Sequence, residues 1–242
     1  MPRPDYGYDA PYALLMFALV AAGCGIAAIV FLLLRQNHNA LVMAVYFAFF
    51  FASASSFFYT TRRGKFLEWK KILDGLHLRG DESALDMGCG RGAVLTAVAR
   101  RLSSGRVTGI DIWSAMDQSG NARDVTLRNA ALEGVSGRVQ IETGDMRKLP
   151  LPDSSFDLVV SSLAIHNISS KADRELAVRE GFRVLKPGGH IVIADIRATR
   201  LYERTLREVG AENVVRRRLG WRFWWGNPVA ATCLVTALKP NR

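Results

Sequence analysis

The chain has 242 residues, 49% of them hydrophobic, and a formal net charge of +10. This length allows one ordinary domain and a smaller appendage, and the charge favours an anionic partner such as nucleic acid, a membrane surface or an acidic ligand. A membrane is favoured over nucleic acid because the apolar excess lies in the first sixty positions and no zinc-finger, homeodomain or RNA-binding signature is present. Three cysteines without metal-ligand spacing predict no metal site and favour a reduced, intracellular protein.

Two uncharged segments form the N-terminal region. They extend over about 12–34 and 40–59 and are separated by a short polar break. At about 1.5 Å per residue, the first is long enough to cross a hydrocarbon core of roughly 30 Å. A signal peptide fits less well because a second span follows, and a buried hairpin would have to hide six phenylalanines of the second segment. We therefore predict a transmembrane helical hairpin over residues 1–61.

Basic residues predict the orientation of this hairpin. Five lysine and arginine residues lie between positions 62 and 71, whereas only Arg35 lies between the two spans. Positively charged flanks stay in the cytoplasm. We therefore expect an integral two-span membrane anchor whose termini, together with the following domain, lie in the cytoplasm.

An amphipathic segment follows the hairpin. Apolar side chains recur at helical spacing among lysines over residues 65–78, so residues 62–80 are predicted to form a linker helix. This helix either lies on the membrane surface, with its lysines toward anionic lipid, or packs on the next domain. The pattern alone does not choose between these two placements.

Strands alternate with helices from residue 81 to residue 242. Predicted strands lie at 83–87, 106–110, 139–143, 158–162 and 191–194. Predicted helices lie at 93–102, about 124–133, 172–185 and 201–209. Two final strands, at 213–219 and 230–238, are too close for a crossover helix and should be antiparallel. The predicted fold is α/β, a doubly wound and mostly parallel sheet with an antiparallel last strand.

Glycine and acidic residues follow the first two strands, at the sheet edge where ligands bind in such folds. Asp86 is followed by Gly88, Gly90 and Gly92, which leave room for a ligand to approach the backbone. Asp111 follows the second strand, about twenty positions beyond the glycine turn, where a carboxylate accepts hydrogen bonds from ribose hydroxyls. These residues predict a nucleotide-like cofactor.

Further candidates follow the third and fourth strands. Gly144, Asp145 and Met146 offer a carboxylate and an apolar side chain for the amino edge and the face of an adenine. Ser161 and Ser162 end the fourth strand. These residues extend the predicted cofactor site along the same edge of the sheet.

The order of these motifs resembles the class I S-adenosylmethionine-dependent methyltransferases. The glycines are spaced GxGxG, whereas the dinucleotide fingerprint is GxGxxG. The segments that carry the resemblance are residues 86–92, Asp111, residues 144–146, residues 156–162 and residues 185–189. The resemblance implies a Rossmann-like, seven-stranded sheet and S-adenosyl-L-methionine as the cofactor.

The resemblance also implies a role for each candidate near the methionine and ribose. Gly88 and Gly90 would approach the methionine part of the cofactor, and Asp86 would lie beneath it. Asp111 would take the ribose hydroxyls.

The adenine would lie among four other residues. Ile112 or Trp113 would lie on the ring, Asp145 would accept from its amino group, and Met146 would lie beside it. Trp113 has an alternative role in ordinary packing.

His166 follows the fourth strand, where many small-molecule members of the resembling family meet the acceptor. We hypothesise that it orients or deprotonates the acceptor, and is therefore the candidate catalytic residue. The alternative is a histidine that caps a helix or lines the cofactor pocket.

Four aromatic residues lie between positions 221 and 225, beside an arginine run. They are costly to leave in water, so they should meet the membrane interface, the amphipathic helix or an apolar substrate. The membrane interface is preferred because tryptophan with arginine suits a headgroup layer.

These features together predict a membrane-anchored methyltransferase with a lipophilic small-molecule or lipid acceptor. A quinone or isoprenoid-like compound, a phospholipid headgroup, and a small thiol or phenol all remain open. The chain resembles the quinone and sterol methyltransferases in its cofactor motifs, which do not identify the acceptor. A nicotinamide-dependent oxidoreductase and a non-catalytic, cofactor-binding membrane subunit are the alternatives.

Overall fold

Two apolar helices precede a seven-stranded sheet in the computed structural model, which describes residues 3–114 and 118–241. The helices are α1 (Pro11–Leu33), α2 (Asn37–Tyr59), α3 (Lys65–Asp74), α4 (Ala93–Ala99), α5 (Arg123–Leu132), α6 (Lys171–Arg183) and α7 (Thr199–Glu208). The strands are β1 (Ser83–Met87), β2 (Arg106–Asp111), β3 (Val139–Thr143), β4 (Phe156–Ser162), β5 (Leu185–Asp195), β6 (Glu212–Arg218) and β7 (Cys233–Leu238).

The sheet has the order β3-β2-β1-β4-β5-β7-β6. The first five strands are parallel, and β7 runs antiparallel to both of its neighbours. This confirms the predicted α/β class, the mostly parallel sheet and the antiparallel final pair. Several boundaries differ by two or three residues, and the largest difference is at β5, which begins at Leu185 rather than at Ile191, with an irregular register against β4. Pro187 lies in this added part, where its missing N–H weakens the strand signal.

Helices cover both faces of the sheet, as its double winding requires. On one face, side chains of α3 and α4 pack against alternate residues of β1, such as Ala84. On the other face, side chains of α6 and α7 pack against Leu85 and Met87. The alternation follows from the two-residue period of a strand. The carboxyl ends of the parallel strands are left uncovered by this packing.

The helices α1 and α2 form an antiparallel hairpin joined by residues 34–36. Each has 23 residues, and each is long and apolar enough to cross a membrane. Pro11 occupies the first turn of α1, where its missing N–H costs nothing. Most of the large apolar side chains of the hairpin are exposed in the isolated chain. The ends Pro11 and Tyr59 lie beside the sheet domain, and the connecting loop lies at the far end.

The helix α3 packs on the sheet domain, which decides between the two placements that its pattern left open. Trp69, Ile72 and Leu73 are buried in the core. A single turn of π-helix, Thr60–Gly64, carries the chain from α2 directly into α3. The hairpin is therefore continuous with a helix of the domain.

The aromatic segment between β6 and β7 divides between core and surface. Trp225 is buried and packs edge-on against Phe57 of α2, with ring centroids 5.0 Å apart. Phe223 is also buried, whereas Trp221 is 54% exposed and stacks on Tyr59. The preferred placement at the membrane interface was therefore wrong for Phe223 and Trp225, because both are buried at the base of the hairpin.

Candidate functional site

A tight turn joins β1 to α4 at the uncovered edge of the sheet. Gly88, Gly90 and Gly92 all have positive φ, at 75°, 50° and 84°, a conformation that favours glycine. A Cβ atom on Gly88 would lie 2.2 Å from the Cβ atom of Ala164. Gly88 and Gly90 line a large cavity, whereas Gly92 faces Thr126. The turn therefore presents bare backbone to the cavity.

Asp86 lies in the wall of this cavity and is only 1% exposed. Among the residues that the structure describes, none forms a hydrogen bond with either of its carboxyl oxygens. Burial, with a smaller contribution from the carboxylate of Asp111, raises the pKa of Asp86 to about 8. A buried carboxyl group without a partner indicates that a ligand supplies one, and a cationic ligand group suits it best.

Asp111 ends β2 beside the glycine turn. Its Oδ2 accepts a hydrogen bond from the N–H of Gly90 at 2.8 Å, and its Oδ1 accepts from the N–H of Trp113 at 2.6 Å. The Nδ2 group of Asn121 donates to the same Oδ1 at 3.3 Å. These bonds fix the carboxylate in the cavity wall, with lone pairs left for ligand hydroxyls.

The residues predicted to surround an adenine do not all face the cavity. Ile112, Asp145 and Met146 line it. Trp113 is not among the described residues that line it, and its indole Nε1–H donates to Oγ1 of Thr143 at 2.8 Å. The structure thus places the Trp113 indole against Thr143, outside the described residues that line the cavity.

The turn after β3 is fixed by packing and by an ion pair. A Cβ atom on Gly144 would lie 2.6 Å from Cδ1 of Ile110, so this glycine supports the turn from below. The guanidinium of Arg147 binds Asp145 through Nε and Nη2, at 2.8 and 2.5 Å from Oδ2. These hydrogen bonds hold the pKa of Asp145 below its ordinary value. Asp145 therefore presents an ionised carboxylate to the cavity.

The two serines that end β4 have different surroundings. Ser161 is buried, and its hydroxyl donates to the backbone oxygen of Met87 at 2.8 Å. Ser162 lines the cavity, and its Oγ accepts from the indole Nε1–H of Trp69 at 2.9 Å. Ser161 thus holds β4 to β1, and Ser162 connects α3 to the cavity.

His166 lies in a short 3₁₀ turn after β4 and lines the cavity. Its Nδ1 is 2.6 Å from Oδ1 of Asp195, a close contact that is not aligned as a hydrogen bond. The backbone N–H of His166 and the hydroxyl of Tyr202 donate to Oδ2 of Asp195 at 3.0 and 3.1 Å. Asp195 was not predicted, although it ends β5 as Asp86 and Asp111 end or nearly end their strands. The strand-end rule, that ligand-binding residues lie at the carboxyl ends of the parallel strands, would have found it.

Residues before α1 also belong to this site. Tyr6 and Asp9 line the cavity. The hydroxyl of Tyr6 lies 2.8 Å from Oγ1 of Thr96, and Asp5 pairs with Arg91 of the glycine turn at 2.7 Å. This short segment has no periodicity from which its position could be predicted.

One cavity of about 1020 Å³ joins these parts. The glycine turn lines part of it. Apolar residues from α1, α2 and the connection before β7 line it as well: Ala13, Phe17, Phe57, Trp225 and Ala230. His166 lies in the wall of the same cavity, which therefore connects the predicted cofactor residues with the base of the hairpin.

Comparisons with known proteins relate the sheet domain to methyltransferases. Residues 85–193 match a family described as a methyltransferase domain. The ubiquinone/menaquinone biosynthesis C-methyltransferase UbiE of Cronobacter sakazakii is 35% identical over 130 residues, covering 52% of this chain and 48% of UbiE. An uncharacterized 37.1 kDa protein in transposon TN4556 of Streptomyces fradiae is 38% identical over 125 residues, 51% of this chain and 33% of that protein. The matches span about half, or less, of these relatives' own length.

A solved structure shares the fold. A SAM dependent methyltransferase from Aquifex aeolicus matches with a TM-score of 0.54 and 20% sequence identity. The match covers 70% of this chain and 88% of that one. At this identity the likeness shows the fold, and the cavity at the sheet edge lies where such folds bind their ligands.

Proposed function

We propose, since this chain belongs to the class I S-adenosylmethionine-dependent methyltransferases, that it transfers a methyl group from S-adenosylmethionine to a lipophilic acceptor at a membrane surface. The cofactor supplies an electrophilic methyl group on a sulfonium centre. The residues of this chain bind the donor, hold the acceptor in line and exclude water. Such positioning gives effective molarities of about 10⁵ to 10⁸ M.

The observation that carries this proposal is the continuity of the cavity. Gly88 of the glycine turn and Phe17 and Phe57 of the hairpin line the same space. A cofactor on the glycine turn and an apolar molecule from the hairpin side would therefore meet without crossing bulk water. A water-soluble acceptor would not need an apolar entrance of this kind.

The residues present fit the proposed cofactor. The unpartnered carboxyl group of Asp86 suits a cationic ligand, and Gly88 and Gly90 line the cavity with backbone that a ligand can approach. The residues that would hold the cofactor are Asp86, Gly88, Gly90, Asp111, Ile112, Asp145 and Met146. Ser162 would complete this wall, while Gly92, Trp113, Gly144 and Ser161 would support it from behind.

His166 is the residue proposed to act on the acceptor. It lines the cavity, and Asp195 lies against its Nδ1 at 2.6 Å. This contact leaves Nε2 as the nitrogen that orients the acceptor or receives its proton. A positioned general base contributes about 10²- to 10⁴-fold to a rate.

The hairpin is proposed to cross the bilayer, with the sheet domain on the cytoplasmic side. Its support is the length and exposed apolar surface of α1 and α2, and the basic residues Arg62 and Arg63 at its base. Trp221 is exposed beside Tyr59 and would lie at the headgroup level. Residues 1–61 would thus be the anchor, 62–80 the linker, and 81–242 the catalytic domain.

A quinone or isoprenoid-like compound is the acceptor class favoured by the similarity to UbiE. A phospholipid headgroup and a small lipophilic thiol or phenol are the other acceptors that a membrane-side entrance would admit. The relative's name supports the class of acceptor and not the methylated atom.

The test uses the full chain in lipid nanodiscs. Calorimetry with S-adenosylmethionine and with nicotinamide nucleotides comes first, followed by formation of S-adenosylhomocysteine with quinol, phenol, thiol and phospholipid acceptors. We expect binding of S-adenosylmethionine and turnover with one lipophilic acceptor class.

Other results would change the proposal. Binding of a nicotinamide nucleotide alone would favour the oxidoreductase alternative. Binding of S-adenosylmethionine without turnover across the acceptors, including a total lipid extract, would favour a non-catalytic membrane subunit.

A further inference from the structure

A largely buried ion pair lies in the wall of the cavity. Lys65 is the first residue of α3 and is 5% exposed. Its Nζ lies 2.5 Å from Oδ2 of Asp9, which precedes α1. The hydroxyl of Thr61 donates to the same oxygen at 2.8 Å. Lys65 and Asp9 both line the cavity that contains Asp86 and the glycine turn.

One side chain connects this pair to the glycine turn. The Oε1 atom of Gln118 accepts from the N–H of Arg91 at 3.0 Å, and a Cβ atom on Gly90 would lie 2.6 Å from that Oε1. The Nε2 group of Gln118 donates to Oδ1 of Asp9 at 3.3 Å. The ion pair is therefore next to the part of the turn that would approach the methionine of the cofactor.

Burial of two opposite charges is costly, and such a pair is weak support for stability by itself. A pair that lines a ligand cavity presents a cation and an anion together. The matching ligand group is a zwitterion, which offers one charge of each sign at a short separation. The methionine end of S-adenosylmethionine is such an amino-acid zwitterion.

We propose that Lys65 and Asp9 form the subsite for the amino-carboxylate end of the cofactor. This assignment rests on the proposed function. The ammonium of Lys65 binds the ligand carboxylate, and the carboxylate of Asp9, together with Asp86, binds the ligand ammonium. When the cofactor binds, Lys65 and Asp9 exchange their contact with each other for contacts with the ligand carboxylate and the ligand ammonium.

The subsite has a consequence for the hairpin. Asp9 lies just before α1, and Lys65 lies just after α2. The two segments that join the hairpin to the sheet domain therefore each contribute one residue to the proposed cofactor contact. Cofactor binding thereby fastens the base of the anchor to the sheet domain.

The test compares two ligands on the full chain in detergent micelles. S-adenosylhomocysteine carries the zwitterion, and 5′-methylthioadenosine carries the same nucleoside without it. For Lys65→Met we expect the dissociation constant for S-adenosylhomocysteine to rise about tenfold or more, because hydrogen bonds to charged groups are lost. The dissociation constant for 5′-methylthioadenosine should be unchanged. Lys71→Met is the matched control, because the Lys71 side chain is 60% exposed on the same helix and is not among the described residues that line the cavity, and it should change neither value.

A second variant separates binding from folding. Lys65→Met leaves the partly buried Asp9 without its partner, so the double variant Lys65→Met with Asp9→Asn removes both charges. Unchanged binding of 5′-methylthioadenosine to this variant shows that the pocket is intact. Equal loss of both ligands, or unchanged binding of S-adenosylhomocysteine, would overturn the subsite alone. A wild-type protein that binds neither ligand would overturn the proposed function as well.

Discussion

The carbonyl oxygen of Arg222 lies so close to Gly64 that a Cβ atom on this glycine would be only 1.8 Å from it. Gly64 ends the π-helical turn between α2 and α3, and Arg222 lies in the connection before β7. The hydroxyl of Thr60 donates to the carbonyl oxygens of Arg222 and Trp224, at 3.3 and 2.6 Å. The base of the hairpin thus packs on the sheet domain through the Thr60 hydroxyl and through a backbone contact at Gly64 that leaves no room for a side chain.

This contact predicts the effect of Gly64→Ala. The neighbouring group is backbone and cannot rotate away, so overpacking should destabilise the chain by about 1–3 kcal/mol or more. Gly23→Ala is the control, because a Cβ atom there would meet nothing within 4 Å and alanine is the better helix former. Thermal unfolding in detergent measures both variants. Equal melting temperatures for Gly64→Ala and wild type would contradict the close seating.

The raised pKa of Asp86 predicts a dependence of stability on pH. The carboxyl group ionises near its ordinary value of 3.8 in the unfolded chain and at about 8 in the folded chain. Its contribution to stability is therefore fully present below the unfolded value and is lost as pH rises through the folded value. The free energy of unfolding of wild type, relative to Asp86→Asn, should fall by up to about 1.4 kcal/mol per pH unit across this window.

Urea unfolding of the cofactor-free protein at several pH values measures this difference. Above the folded pKa the difference should become constant, because both states are then ionised. A difference that does not change with pH would show that Asp86 is not buried as a neutral group.

The contact between His166 and Asp195 predicts a split between turnover and cofactor binding. His166→Ala should lower kcat by about 10²- to 10⁴-fold if the histidine accepts a proton, and should leave the affinity for S-adenosylhomocysteine unchanged. Asp195→Asn should lower kcat and alter its pH profile, because Asp195 fixes the ring. His38→Ala, at the exposed start of α2, is the control. Full turnover by folded His166→Ala would remove the proposed role.

The proposed topology predicts which positions an impermeant thiol reagent reaches in intact cells. The native cysteines Cys89 and Cys233 are buried. In a chain with Cys24→Ala, cysteine introduced at Asn37 should be labelled from outside the cytoplasm. Cysteine introduced at Glu208 should be labelled only after the membrane is opened. Labelling at both positions in intact cells, or release of the whole chain by alkaline carbonate, would contradict a two-span anchor.

Much of the fold could be predicted from local patterns. The periodicity of the apolar residues predicted the strands and helices, and the short connection before β7 required an antiparallel pair. The strand-end rule brought Asp86, Asp111 and Asp145 to one edge because parallel strands end on the same side. These features depend on neighbours in sequence or on one general rule of topology.

Other parts of the site depend on contacts between distant residues. Trp69 reaches Ser162, and Lys65 reaches Asp9, across 93 and 56 positions of the chain. No local pattern specifies such pairs. Trp113 shows a second limit, because the resemblance implied that Trp113 or Ile112 lies on the adenine but could not show that the Trp113 indole donates to Thr143.

The fate of a labelled methyl group tests the central claim most directly. Full chain in nanodiscs would be incubated with methyl-labelled S-adenosylmethionine and a lipid extract, and the label followed into organic-soluble, protein and nucleic-acid fractions. We predict label in an organic-soluble product, with equal formation of S-adenosylhomocysteine and loss of both in His166→Ala. Label confined to protein or nucleic acid, or no transfer by a chain that binds the cofactor, would contradict methylation of a lipophilic acceptor.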